Sequence, residues 1–247
     1  MLSVALKRVD RTGGSTLSAT RRTARIVGVL FILATVASLA SVPVLSPFLS
    51  GDHFVKMAAS EHRVILGVFL KIVVAFASPA IALWLYPVLR ERSKGGLALG
   101  SVGFRLIEGM LYAVGAVILL SLLSLSQESV KAGTSAASGF GSAGTVLLAA
   151  RDWASLVGIL AFYVGGFMYY CIFYGSRLVP RWLSVWGVAG VVLGAVAALL
   201  VMFGVTGSMS TVQVVLNVPI GVNEIVLAVW LIVKGFRPAL TGPAALA

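Results

Sequence analysis

The amino-acid sequence predicts an all-α membrane protein, a bundle of six transmembrane helices. Hydrophobic residues make up 59% of the 247 residues, and charged residues only 11%. A water-soluble protein of this size would need a larger share of polar residues to cover its surface. The same composition excludes intrinsic disorder, and the single cysteine excludes a disulfide-rich scaffold. The chain is therefore expected to reside in a lipid bilayer.

Six apolar runs are each long enough to cross the membrane as a helix, for which about 20 residues are needed. These runs cover residues 26–46, 64–86, 97–123, 153–175, 182–204 and 212–233. The continuous apolar run at 192–205 contradicts the alternating pattern of a β-barrel strand. Because the first run is longer than the apolar segment of a secretory signal, and no clear cleavage site ends it, we expect it to be retained as a helix.

The distribution of positive charge predicts the orientation of the bundle. Placing both termini in the cytoplasm assigns the whole net charge of +11 to that side, as the positive-inside rule requires. This arrangement predicts a basic cytoplasmic tail at residues 1–25, a six-helix transmembrane domain at 26–236 and a cytoplasmic C-terminal tail at 237–247. The cytoplasmic bases are then Lys7, Arg8, Arg11, Arg21, Arg22, Arg25, Arg90, Arg92, Lys94, Arg177, Arg181, Lys234 and Arg237.

The positive charge also bears on the partners of the protein. The bases border helices, and no basic patch interleaved with aromatic residues and no helix-turn-helix pattern accompanies them, so we expect no nucleic acid partner. Attraction to anionic lipid headgroups at the cytoplasmic face explains the basic flanks. The expected partners are therefore the bilayer and those headgroups, and the sequence identifies no protein partner.

The connections between the spans contain no established catalytic or metal-binding motif. The longest connection, at residues 124–152, is rich in serine, glycine and alanine and predicts a flexible coil, either a tether or a lid over a cavity. Within it, residues 145–150 either begin the fourth span early or lie at the membrane interface. The first outer connection holds His53 and His62 beside Asp52 and Glu61, but their spacing matches no established ligand motif. We therefore predict no metal site and no cofactor.

Four charged residues lie inside the predicted spans, namely Lys71, Arg105, Glu108 and Glu224. A charge in that position costs at least about 2.5–3.5 kcal/mol, so these side chains should face protein or water. The helical rise of about 1.5 Å per residue places Glu108 and Glu224 near the bilayer midplane. The i,i+3 spacing lets Arg105 meet Glu108. Because the two bases and two acids sum to zero, we expect them to pair with one another.

The sixth span adds polar groups beside Glu224. Asn217 lies seven residues earlier on the same stripe, Asn223 lies on a neighbouring face, and Pro219 frees backbone carbonyls upstream. Polar interior sites at broken helices bind ions, protons or small polar ligands in other membrane proteins. The alternative is a salt-bridge network that only fixes helix register. The candidate ligand- or proton-binding residues are Lys71, Arg105, Glu108, Asn217, Asn223 and Glu224.

Two further patterns concern the fourth and fifth spans. The fourth span carries aromatic residues at helical spacing, either a wall for a hydrophobic ligand or a helix-packing surface: Tyr163, Phe167, Tyr170 and Tyr174. The fifth span carries a seam of small residues that permits close approach of a neighbouring helix: Gly187, Gly190, Gly194 and Ala198.

Four sequence motifs occur in a fixed order along the chain and are distinctive as a set. They are residues 85–90 (LYPVLR), 103–108 (GFRLIE), 176–184 (SRLVPRWLS) and 226–236 (VLAVWLIVKGF). Together they resemble the bacterial membrane family called domain of unknown function 4386, over residues 25–236. The resemblance implies a six-helix protein of the bacterial plasma (inner) membrane, and it implies no activity. Arg105, Glu108 and Arg181 stand within the matching motifs.

These observations leave two main classes of function. A carrier would use Glu108 or Glu224 to bind or translocate a small molecule or a proton. A non-catalytic scaffold or sensor subunit would need only the bundle, with its buried charges serving structure. An enzyme is less favoured, because the spans contain no histidine and the chain contains no G-x-S-x-G or H-E-x-x-H motif, so no catalytic residue is assigned.

Overall fold

The computed structural model describes the backbone of residues 2–49, 53–93, 95–132, 137–208 and 210–237, and the side chains of residues 20–49, 56–93, 95–132, 139–208 and 210–237. Over these ranges the chain forms seven α-helices and no strand. Six of the helices are long and apolar enough to cross a membrane, which confirms the predicted bundle. The helices are α1 (Leu2–Leu45), α2 (His53–Ala59), α3 (Glu61–Arg90), α4 (Leu97–Ala132), α5 (Ala137–Ser176), α6 (Arg181–Met202) and α7 (Thr211–Val233).

Each predicted run corresponds to one spanning helix, although most of the helices extend further than the runs. The backbone of residues 2–25, predicted as a basic tail, continues α1 without a break. The shortest spanning helix, α6, has 22 residues. At the rise of an α-helix this length reaches about 33 Å, enough to cross the hydrocarbon core.

The expectation of a flexible coil at residues 124–152 is wrong for the part that the structure describes. Helix α4 continues to Ala132, and α5 begins at Ala137. The apolar stretch at 145–150 is therefore an early part of the fourth span, as one of the two alternatives held. Leu147 and Leu148 pack against a core that includes Leu122 and Phe48. This packing outweighs the low helix propensity of the serine and glycine residues.

The six spanning helices form a closed ring in chain order. Each helix packs against the next one along the chain, from α1 to α3, α4, α5, α6 and α7, and α7 packs back against α1. At this last contact, a Cβ on Gly28 would lie 2.7 Å from the carbonyl oxygen of Ala228. The glycine therefore lets α1 and α7 approach closely, and the ring closes around an interior that all six helices can line.

The surface of the ring is apolar, and its two ends differ. Large apolar side chains are exposed on every spanning helix, for example Phe69 and Phe76 on α3 and Val117 on α4. This pattern suits contact with lipid, and the architecture is that of a multi-pass membrane protein. One end, here called the basic end, carries Arg90, Arg92, Arg177, Arg181, Lys234 and Arg237. The opposite end, here called the α2 end, carries the short helix α2 packed against α4.

Candidate functional site

A buried ion pair lies at the centre of the ring. Nη1 of Arg105 lies 3.0 Å from Oε2 of Glu108, and both side chains are only 3% exposed. The hydroxyl of Ser78 on α3 donates to the same carboxylate oxygen at 2.5 Å and accepts from Nη1 of Arg105 at 3.1 Å. These bonds confirm the i,i+3 pair predicted on α4. They also tie α3 to α4 through a fully buried polar cluster.

Glu224 joins this cluster from α7, but more loosely. Its Oε1 lies 3.7 Å from Nη2 of Arg105, and its Oε2 accepts a hydrogen bond of 3.2 Å from the hydroxyl of Thr35 on α1. The Glu224 side chain is 13% exposed, against 3% for Glu108. The two glutamates therefore lie in one cluster, as the sequence predicted, but both gather around a single arginine, one held tightly and the other on the edge of the cluster.

Aromatic side chains of α5 enclose the guanidinium group of Arg105. Its Cζ lies 4.5 Å from the ring centre of Phe162 and 5.4 Å from that of Tyr169. Nη2 of Arg105 also donates to the hydroxyl oxygen of Tyr169 at 3.1 Å. Cation–π contacts of this kind stabilise a desolvated arginine. The Nε of Arg105 is buried without a hydrogen-bond partner among the described residues.

The backbone of α3 and α4 places Ser78 against Glu108. A Cβ on Gly109 would lie 2.5 Å from the carbonyl oxygen of Ala75 and 2.5 Å from Cγ of Pro79. The glycine therefore allows the two helices to touch at the level of the ion pair. Pro79 lies inside α3 and cannot donate a backbone hydrogen bond there.

The small-residue seam of α6 allows α5 side chains to reach α7. A Cβ atom added at Gly187 would overlap the ring of Tyr170, and one added at Gly194 would overlap the ring of Tyr163. Gly190 instead faces the α7 backbone, where a Cβ would lie 3.0 Å from Cα of Ile220. The predicted seam is confirmed, and at two of its glycines the close neighbour is an aromatic ring.

The two asparagines of α7 are the acceptors for these tyrosines. The Tyr170 hydroxyl donates to Oδ1 of Asn223 at 2.6 Å, and Nδ2 of Asn223 donates to the Leu183 carbonyl at 3.1 Å. Asn223 is fully buried, so its side chain serves helix packing. The Tyr163 hydroxyl donates to Oδ1 of Asn217.

The aromatic row of α5 is not a continuous wall. Tyr163 and Tyr170 are buried between helices, whereas Phe167 and Tyr174 are 44% and 45% exposed on the outer surface. The helix-packing alternative therefore holds for Tyr170, whereas Tyr163 also lines two of the cavities described below. The aromatic contacts to Arg105 come from other positions, Phe162 and Tyr169, which the spacing did not indicate.

A cavity of about 180 Å³ lies beside the ion pair. We call it the central cavity. Arg105, Glu108 and Glu224 line it together with polar side chains from α1, α3, α4, α5 and α7. Those polar residues are Thr35, Ser38, Ser78, Tyr112, Tyr163 and Asn217. Asn217 is therefore at the candidate site, and Asn223 does not line the cavity.

Lys71 does not join the cluster, contrary to the expectation that all four charges pair. No described residue forms an ion pair or hydrogen bond with its amino group. Lys71 instead lines a second cavity of about 170 Å³, here called the side cavity, together with Arg151. The reason is position along the helix, because Lys71 lies about two turns from Ser78 toward the α2 end.

A third cavity of about 380 Å³ lies among α5, α6 and α7 and is here called the end cavity. Ile159 lines all three cavities, and Arg151 and Ser155 line both the side and end cavities. The three cavities are therefore neighbours in space. The side and end cavities lie nearer the α2 end of the ring than the buried charges do.

The predicted polar residues of the first outer connection fall partly outside the described residues. The backbone of Asp52 and the side chains of Asp52 and His53 lie beyond them. Within the described part of the chain, no group of three or more histidine, cysteine, aspartate or glutamate residues could hold a metal ion.

By its spanning helices and its buried charges, this is a multi-pass membrane protein with an arginine–glutamate pair at its centre. Comparison with known families gives a more specific result, because the family described as Domain of unknown function (DUF4386) matches residues 26–235, most of the chain. The chain belongs to this family. It matches none of the curated proteins and none of the solved structures.

Proposed function

We propose that this protein is a carrier that binds a small polar solute in the central cavity and couples its passage to a proton on Glu224. The position of Glu224 is the observation that carries this proposal. It is a carboxylate at the centre of a membrane bundle, it lines a cavity of about 180 Å³, and its contact with Arg105 is long at 3.7 Å. A group held in this way can exchange a proton or a ligand without dismantling the fold.

The chemistry around the cavity supports binding of a polar molecule. Arg105 keeps one buried donor, Nε, without a partner among the described residues. Thr35, Tyr112 and Asn217 also line the cavity. A few placed polar groups on an otherwise apolar wall are typical of small-molecule sites.

The positions of the side and end cavities support a direction of entry for the solute. The end and side cavities lie between the α2 end of the ring and the central cavity. By the positive-inside rule, the basic end faces the cytoplasm, with both termini on that side, and the α2 end faces out. We propose that solute enters from the α2 end, in a bacterial plasma (inner) membrane whose anionic headgroups bind the basic end.

The test is a transport measurement with purified protein in proteoliposomes. Pools of small anions, cations and zwitterions would be applied to the proteoliposomes, and two signals recorded, the transient current on a solid-supported membrane and the lumenal pH reported by an enclosed dye. The pH signal is needed because a monovalent anion that moves together with one proton carries no net charge. We expect a current or a pH change for at least one pool in the parent protein and neither in Glu224→Gln. The matched control is Glu128→Gln, since Glu128 is 62% exposed and pairs only with the exposed Lys131.

Two results would overturn the carrier. One is a folded parent protein that gives neither a current nor a lumenal pH change with any pool beyond that of empty liposomes. The other is a Glu224→Gln variant whose current and pH change equal those of the parent. The Glu128→Gln control should match the parent in both current and folding.

The second candidate function is a scaffold or sensor subunit with structural charges. The tight geometry at Glu108 favours it, because Ser78 and Arg105 satisfy that carboxylate at 2.5 and 3.0 Å. In that case Glu224→Gln would lower folding yield, and the parent would carry no current. Size-exclusion profiles measured beside the currents separate the two functions.

A further inference from the structure

The side cavity brings two cations together, and the carboxylate that pairs with one of them does not line it. Lys71 from α3 and Arg151 from α5 both line this space of about 170 Å³, and no acidic residue among the described ones does. Asp152 pairs with Arg151 at 2.6 Å, but the Asp152 side chain is 64% exposed and lines the end cavity instead. The side cavity therefore has an excess of positive charge within a membrane-spanning bundle.

That excess is costly unless something offsets it. An unpaired lysine within a span costs at least about 2.5–3.5 kcal/mol on insertion scales. The Arg151 side chain is only 14% exposed, so water screens it poorly. An anion between the two cations would remove much of this cost, as a buried carboxylate does for Arg105 in the central cavity.

The remaining side chains of the side cavity suit an oxyanion. Ser38, Tyr112 and Ser155 contribute hydroxyl groups, each able to donate one hydrogen bond to an oxygen atom. A volume of about 170 Å³ holds more than one water-sized group. Ser38 and Tyr112 also line the central cavity, so an anion bound here would lie next to the proposed transport site.

We propose that Lys71 and Arg151 form a binding site for a small oxyanion, a carboxylate or a phosphate, at the entrance to the central cavity. This inference deepens the proposed function, on which it rests for the role of the ion as transported solute. The binding site itself stands on the two cations and the three hydroxyl groups. A phosphate from a lipid headgroup has the same chemistry, and we commit to the soluble ion because the site adjoins an interior cavity.

Binding can be measured by calorimetry with the full-length protein in nanodiscs of phosphatidylcholine. Inorganic phosphate and acetate are the probes, and methylammonium is the cation control. We expect at least one of the two anions to bind, methylammonium not to bind, and Lys71→Gln to weaken anion binding about tenfold or more, since a charged hydrogen bond contributes about 1.5–3 kcal/mol. Lys131→Gln is the matched control, because Lys131 is 71% exposed and lies away from the cavity.

Three results would overturn the site. They are no heat from either anion, equal anion affinity in the parent and Lys71→Gln, and anion binding that is lost when phosphatidylglycerol replaces phosphatidylcholine, because a headgroup that occupies the site would exclude the soluble ion. If Lys71→Gln fails to fold, Arg151→Gln and Ser155→Ala test the same cavity from α5, and unchanged affinity in both would equally overturn it.

The outcome can be separated from that of the carrier proposal. Phosphate or acetate binding that persists in Glu224→Gln supports the oxyanion site even if no pool gives a current. A current with the cation pool alone, without anion binding, would keep the carrier and overturn the oxyanion site.

Discussion

Glu108 and Glu224 are the same residue type at the same depth of the ring, yet the protein holds them in different ways. Glu108 accepts hydrogen bonds from Ser78 and Arg105 at 2.5 and 3.0 Å and is 3% exposed. Glu224 lies 3.7 Å from Arg105 and is 13% exposed at the cavity wall. Under the carrier proposal, the tightly held charge maintains the fold and the loosely held one takes part in exchange. Substitutions at each glutamate and at the arginine test this distinction.

The largest effect is expected from Arg105→Met, which removes the cation that both glutamates share. Two carboxylates would then be buried without a charge partner, which costs about 3–5 kcal/mol for each broken pair. We expect the variant to be largely unfolded or to have a much lower Tm, measured by thermal unfolding in detergent.

Arg90→Met is the matched control for this substitution. Arg90 is exposed at the end of α3, so its loss should change the Tm little. An Arg105→Met variant as stable as the parent would show that neither glutamate depends on the arginine.

The next prediction compares Glu108→Gln with Glu224→Gln. Glu108→Gln disturbs two short hydrogen bonds in a buried cluster and should lower the free energy of unfolding by about 3 kcal/mol. Glu224→Gln breaks one long pair at a cavity and should cost only about 1 kcal/mol. Equilibrium unfolding in mixed micelles measures both values. Equal losses for the two variants would refute the distinction between a structural and an exchangeable glutamate.

Gly187→Ala tests the α6 seam that brings α5 and α7 together. Its Cβ would overlap the Tyr170 ring, and overpacking of this kind costs about 1–3 kcal/mol. Gly221→Ala is the control, because a Cβ there meets no atom within 4 Å. We expect the first variant to have a lower Tm and the second to have the same or a slightly higher one. An unchanged Tm in Gly187→Ala would show that the Tyr170 ring can move aside without a loss of stability.

The smallest effect is expected from Tyr163→Phe, which removes only the hydroxyl that donates to Asn217. A single hydrogen bond contributes about 1 kcal/mol, so the Tm should fall by a small amount. Tyr174→Phe, on the exposed surface, should leave the Tm unchanged. If the carrier proposal holds, Tyr163→Phe should alter transport more than stability, since Tyr163 lines the central cavity.

The sequence predicted the spans and the principal ion pair for simple physical reasons. Hydropathy marks segments that cannot remain in water, and the i,i+3 spacing of Arg105 and Glu108 fixes their contact within one helix. That Glu224 would lie near another buried charge followed from the cost of isolated charge in lipid, although the sequence did not identify Arg105 as its partner. These predictions needed only local spacing and a balance of charge.

Contacts between helices were harder to predict. Ser78, Thr35 and Tyr169 bind the charged residues, but serine, threonine and tyrosine are common in spans and carry no signal of their own. The position of Ser78 directly before Pro79, a proline inside a predicted span, was the available sequence signal for a polar role of this serine. Lys71 was assigned to the cluster on charge balance, although the helical rise already places it nearer the outer side than the two glutamates. That no acidic side chain lies at its level becomes visible only in three dimensions, for the residues that the structure describes.

The closed ring has a consequence for biogenesis. Because each spanning helix packs against its predecessor, the chain can assemble stepwise as it leaves the insertion machinery, and Arg105 enters with its own neutralising partner on the same helix. Glu224 arrives on the last helix, and its negative charge meets the arginine only when α7 docks against α1. The ring is therefore sealed and the last acidic charge compensated in one and the same step.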